Sequence, residues 1–183
     1  MKNLIKTSKY LAMISALLLN VSVIAATVST PMGTSVTVLE RAPLTSSQVA
    51  AYNQSFLDSW PYAQLIEDAS SLYNCHSFAF YWFNPANPYW MNDPSAYWQD
   101  GSYNVVTDGS LAYRDNIEYY ENGQLQHSGP VYSYNNGVIG VLSKWGSWPI
   151  AYHHYLYTPY TLETSNSTSY IPGISLQLVR KAY

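Results

Sequence analysis

At 183 residues, with a formal charge of −3, 10% charged residues and a single cysteine, the chain suits one domain with a sizeable core. Its nineteen tyrosines and six tryptophans among so few charges exclude a disordered chain. One thiol excludes an internal disulfide.

The N-terminus predicts an export signal over residues 1–26. Lys2, Lys6 and Lys9 form a basic region, an apolar run extends from Tyr10 to Ala26, and Ala25-Ala26 offers small residues for cleavage. Ser15, Asn20 and Ser22 interrupt that run and make it too short for a permanent span, so no stable membrane insertion is expected after processing. The expected location is secreted or periplasmic. Losing three of the eight basic residues leaves Arg41, Arg114, Lys144, Arg180 and Lys181 against eleven acidic ones, a formal charge of −6. Such a surface cannot neutralise nucleic-acid phosphates or anionic lipid, and neither is expected as a partner.

Residues 27–44, rich in Thr, Ser, Pro and Gly, predict an extended lead-in with an edge strand over 34–38. The main domain is expected over 45–183. Ser46 or Ser47 caps a helix that carries Val49, Ala50, Ala51, Phe56 and Leu57 and stops before Pro61. Tyr62 to Ser70 predicts a second helical piece through Ala63, Leu65, Ile66 and Ala69. Cys75 opens an apolar helix with Phe78, Ala79, Tyr81 and Trp82, which Pro85 and Pro88 end. The loop 84–94 is long, aromatic and polar, suited to the rim of a cleft, and 95–98 adds a helical turn.

Strand signals follow. Tyr103 to Val106 is short, and Asp115 to Tyr120 alternates up to the turn Asn122-Gly123. Leu125, His127 and Val131 lie on the return strand. Asn135-Asn136-Gly137 then turns the chain toward Val138–Leu142, and residues 152–183 supply one or two more strands, including 175–179. The predicted class is α+β, with N-terminal helices packed on an antiparallel sheet.

The chemistry centres on Cys75. A thiol attacks carbonyls as thiolate, which a helix start and a neighbouring imidazole both favour. The first comes from the place of Cys75, the second from His127 in the following sheet, and the Cys75 N–H can serve an oxyanion. His76 follows Cys75 directly and is expected to point away, since adjacent helical residues do not share a face. His153-His154 lacks a third ligand at metal spacing, so no metal and no cofactor are expected. The loop length of the second hairpin decides which side chain joins His127: two or four residues put Lys144 on its face, three put Ser143 there. Lysine has no acceptor for a ring N–H, whereas the Ser143 hydroxyl has. His154 is a further orienting candidate.

Asn74-Cys75-His76-Ser77, then Asp115-Asn116-Ile117-Glu118-Tyr119-Tyr120, then His127-Ser128-Gly129-Pro130-Val131 together resemble the papain-like superfamily of NlpC-type and CHAP-type cysteine amidases and endopeptidases. With Ser143-Lys144-Trp145-Gly146, they are similar to a group of small exported bacterial proteins of this kind, over about residues 70–160. The resemblance implies a papain-like fold, Cys75 as nucleophile and His127 as general base. It also implies cleavage of amide bonds in peptidoglycan peptides, with cell-wall peptide or glycopeptide as partner of a monomer. Asn74, Lys144 and Trp145 are the matching candidates for substrate contact. Two departures stand out: Arg114 replaces the glycine usual before the aspartate, and Pro130 demands an edge or a bulge just after His127. A catalytically silent domain binding cell-wall glycan or peptide, and an acyltransferase using the same pair, are the alternatives.

Overall fold

A computed structural model describes residues 23–160 and 174–182; the N-terminal basic region and most of the apolar run lie outside them. The fold is α+β but dominated by strands. The first is β1 (Ile24–Ser29), paired with β2 (Ser35–Glu40). Next come helix α1 (Ser46–Ser59), β3 (Gln64–Glu67), a π-helical turn (Ser77–Tyr81), β4 (Tyr89–Trp90) and the short α2 (Ala96–Gln99). The remainder is β5 (Tyr103–Val105), β6 (Asn116–Glu121), β7 (Gln124–Asn135), β8 (Val138–Lys144), β9 (Ile150–His154) and β10 (Ile174–Lys181). A three-stranded sheet runs β1-β2-β4, and a seven-stranded sheet runs β3-β9-β8-β7-β6-β10-β5, antiparallel at each pairing.

Both Asn-Gly hairpins form. Asn122, Gly123, Asn136 and Gly137 all take φ between 51° and 83°, the left-handed pair of a two-residue turn that matches strand twist. The expected lead-in is more than extended chain. β1 and β2 make a hairpin whose Val28, Val36 and Val38 are buried with Ala79, Phe80, Met91, Tyr97 and Tyr103, and the expected processing point after Ala26 falls inside β1. The segment predicted helical over 62–70 instead contains β3. Between Pro61 and Ser70 it is too short to nucleate a helix, and pairing with β9 supplies its backbone hydrogen bonds. The cap of α1 is Thr45 rather than Ser46 or Ser47. Its hydroxyl accepts from the Gln48 N–H, and the Gln48 side chain accepts from the Thr45 N–H.

The seven-stranded sheet is covered on both faces. On one, α1 brings Phe56 and Trp60 against Trp145, Trp148 and Ala151. On the other, Tyr73 and Phe78 around the π-helical turn pack on Leu142 and Ile150. The segment carrying Cys75 is thereby pressed against the middle strands.

Candidate active site

Cys75 lies in a single helical turn that widens at once into the π-helical turn. Asn74 sets the start of this turn. Its Oδ1 accepts from the N–H groups of Ser77 (3.2 Å) and Met91 (3.1 Å), while its amide donates to the Met91 carbonyl at 2.6 Å. Both ends of Asn74 are therefore committed to backbone, which corrects its expected role in substrate contact. The side chain is a clamp between the Cys75 turn and the end of β4, and it is buried.

Two bulges in β7 decide which residues face each other. After the Asn122-Gly123 turn, Glu121↔Gln124 and Tyr120↔Leu125 pair in simple register, and then Gln126 is looped out. This sets His127 opposite Tyr119 and Ser128 opposite Glu118. After the second turn, Tyr132 is the extra residue, between Ser133↔Gly140 and Val131↔Val141. The hairpin loop has two residues, the length expected to bring Lys144 to His127, yet the bulge exchanges the faces and brings Ser143 instead. Ser143 Oγ lies 3.1 Å from His127 Nε2. Gly129 keeps this contact open, since a Cβ there would lie 3.0 Å from Ser143 Oγ and 3.7 Å from His127 Nε2.

The β7–β8 ladder stops at Val131↔Val141, so His127 to Pro130 pair with β6 but have no β8 partner. Pro130, which lacks a donor, occupies this interruption without breaking a bond. There the backbone N–H of Ser128 is turned to the Cys75 sulfur, as is the N–H of His76. The nucleophile candidate thus meets the sheet at the peptide bond joining His127 to Ser128.

The site is closed at rest. Cys75 is 5% exposed and His127 fully buried. Tyr160 lies on the His127 ring at 4.5 Å and 6°, a parallel stack, and Tyr119 touches it from another side. Burial pushes the thiol up to about 12, with the two N–H groups and the Lys144 charge opposing and Glu118 adding to the rise. Burial also holds the His127 imidazole well below its ordinary range, helped by His76 and His153. No hydrogen bond joins the sulfur to the ring, and His127 Nδ1 is buried without a partner.

The opposite face of the strand carries a second chain of contacts. Ser128 Oγ bonds Glu118 Oε2 at 3.0 Å and lies 2.8 Å from His76 Nδ1. All three are buried, and burial raises the Glu118 carboxyl to about 8 and lowers the His76 ring to about 4. His76 has a buried polar contact of its own, its Nδ1 engaged by Ser128 Oγ.

The remaining candidates lie elsewhere. Lys144 is fully buried, its ammonium donating to the carbonyls of Ser70 (2.8 Å), Gly146 (2.5 Å) and Trp148 (2.6 Å) and sitting 5.1 Å over the Tyr73 ring. All three N–H donors are used, which corrects its expected contact to substrate. Burial pulls its pKa well down while the carbonyls and ring favour the charge. Trp145 is buried among Phe56, Trp60, Trp148 and His153, and is core rather than substrate surface. His154 is exposed, its Nδ1 accepting from the Leu156 N–H, so of the two orienting candidates only Ser143 reaches His127. Glu118, Ser128 and Tyr160 escaped sequence reasoning. The first two become neighbours only through the bulge at Gln126, and Tyr160 follows the last strand of the hairpin series with no local motif. Among the described residues no group of three or more His, Cys, Asp or Glu is placed to hold a metal ion. No protein-family model, curated protein or solved structure matches this chain.

Proposed function

We propose that the protein is an exported, papain-like cysteine hydrolase that cleaves amide bonds, with peptidoglycan peptides as the substrate class. One observation carries this reading: the sulfur of Cys75 is met by the amide that follows His127, whose Nε2 is held by Ser143 and whose Nδ1 is free. The proton-bearing Nε2 donates to Ser143 Oγ, which leaves a lone pair on Nδ1 to take the thiol proton. The thiolate, stabilised by the Ser128 and His76 N–H groups, attacks the carbonyl. His127 then returns the proton to the leaving amine, and water resolves the thioester. Tyr160 and Tyr119 pack on the fully buried His127 imidazole, so attack requires this ring to be uncovered.

The test is release of peptides from purified cell wall. Wild type should release them, whereas Cys75→Ser and His127→Ala should both reduce release to background while remaining folded. Unchanged release in Cys75→Ser would sink the reading. A second reading, a cell-wall binding domain without catalysis, draws on the burial of both residues and on the exposed Tyr113, Tyr132 and Tyr134. It predicts wall binding that Cys75→Ser leaves intact and no release by wild type.

A further inference from the structure

Two dipeptides, Cys75-His76 and His127-Ser128, are clasped to each other twice. One contact runs from the Ser128 amide to the Cys75 sulfur, and the other from the Ser128 hydroxyl to His76 Nδ1. The second is backed by Glu118, directly across the ladder from Ser128. Ser128 therefore meets the sulfur by its backbone and is itself held by its side chain, as is His76. We propose that Glu118 is a positioning residue for Cys75, fixing the Ser128 amide against the sulfur through the Ser128 hydroxyl and the His76 ring. This inference rests on the reading of Cys75 as nucleophile only for its purpose; the linkage is a property of the folded chain.

A hydroxyl has one proton, so the chain runs in one of two directions. With Glu118 protonated, the carboxyl donates to Ser128 Oγ and the hydroxyl donates to His76 Nδ1, leaving the His76 proton on Nε2. With Glu118 ionised, the hydroxyl donates to the carboxylate, and His76 must carry its proton on Nδ1 to donate in turn. The protonation of Glu118 thus sets the tautomer of His76. It also sets whether a negative charge acts on the sulfur, and two buried anions that feel each other are mutually opposed. The carboxyl, raised to about 8, is mainly neutral at pH 7, the state compatible with a thiolate. The other titratable groups bearing on the sulfur and its partners include His76 beside it, Asp93 acting on His76, His127 on β7, Lys144 on β8, Tyr160 after β9, and Tyr103, Tyr119 and Tyr120 around Glu118. None of these is bonded to Ser128 Oγ except His76.

The experiment follows the pH profile of Cys75 alkylation by iodoacetamide in the full folded chain, alongside ring ¹⁵N shifts of His76. In wild type, the His76 shifts should exchange Nε2–H for Nδ1–H between about pH 7 and pH 9, around the carboxyl's own value. Glu118→Gln, whose amide N–H can donate to Ser128 but never ionises, should hold His76 as Nε2–H throughout. It should also move the alkylation midpoint down by about one pH unit. Ser128→Ala should uncouple His76 from Glu118, so that the tautomer exchange disappears. A wild-type His76 that keeps one tautomer across this range would overturn the proposal without any variant. So would a Glu118→Gln alkylation profile superimposing on wild type. Neither measurement needs substrate: loss of peptide release with the coupling intact would discard the hydrolase reading and keep this one.

Discussion

The two faces of the seven-stranded sheet solve burial differently. The α1 face is aromatic, closed by Trp60, Trp145, Trp148, Tyr157 and Tyr160, and its orphaned polar atoms are all ring nitrogens: His127 Nδ1, Trp145 Nε1 and His153 Nε2. The face toward Cys75 is polar, with Glu118, Ser128, His76 and Lys144 all buried, and there the orphaned atoms are the oxygens of Glu118, Asn116 and Tyr97. β7 supplies both, since His127 looks one way and Ser128 the other. One face thus keeps an unbonded base, while the other ties the Lys144 charge to three carbonyls and Glu118 to Ser128 by one of its two oxygens. Cys75 meets the sheet between them, at the peptide bond the two residues share.

The largest way to break this contrast is pH. His127 and His153 on the α1 face and His76 on the other are buried neutral, with His76 and His153 lowered to about 4. The unfolded chain binds protons at these sites below its ordinary value near 6.5, whereas the folded chain resists until lower pH. Stability contributed by their neutral burial should therefore be lost as pH falls from about 6.5 toward 4, on the order of several kcal/mol. Glu118 works in the opposite sense. Its folded value of about 8 lies above the unfolded one near 4.5, so its contribution is present below 4.5 and lost as pH rises through 8. Cys75 adds a loss of the same sign from about 9 to 12. Thermal unfolding followed across pH should show a maximum near neutrality. A melting temperature that rises steadily between pH 7 and pH 9 would contradict the burial of Glu118.

Next in size is Lys144→Ala, which leaves the carbonyls of Ser70, Gly146 and Trp148 without their donor inside the fold. Its expected cost is about 3–5 kcal/mol, comparable to breaking a buried ion pair, read as a lower urea midpoint. A change within about 0.5 kcal/mol would show that water replaces the ammonium and that this face is less closed than its burial implies.

The smallest effect sharpens the contrast on the other face. Tyr160→Ala removes the ring stacked on His127, while Tyr160→Phe keeps it. Alkylation of Cys75 should quicken on the order of tenfold in the first, a change of about 1.4 kcal/mol, and stay at the wild-type rate in the second. Equal rates in all three would place the closure of the site elsewhere.

Much of the fold is legible without coordinates. Paired Asn-Gly turns between alternating runs specify two hairpins because only residues tolerant of positive φ can make them. Asn74-Cys75-His76-Ser77 before an apolar run marks a helical start, and the helix of 46–59 follows from its cap and Pro61. The segment 62–70 was misleading because a weak helical period over nine residues yields to an available strand edge.

The sequence by itself determined the hairpins and the helical start at Cys75. Tertiary structure alone decided the partners. One residue looped out at Gln126 and another at Tyr132 reverse the faces of everything beyond them, and side chains alternate with a period of two. That is why Ser143 and not Lys144 reaches His127, why Ser128 reaches Glu118, and why Lys144 is spent on three carbonyls inside the protein.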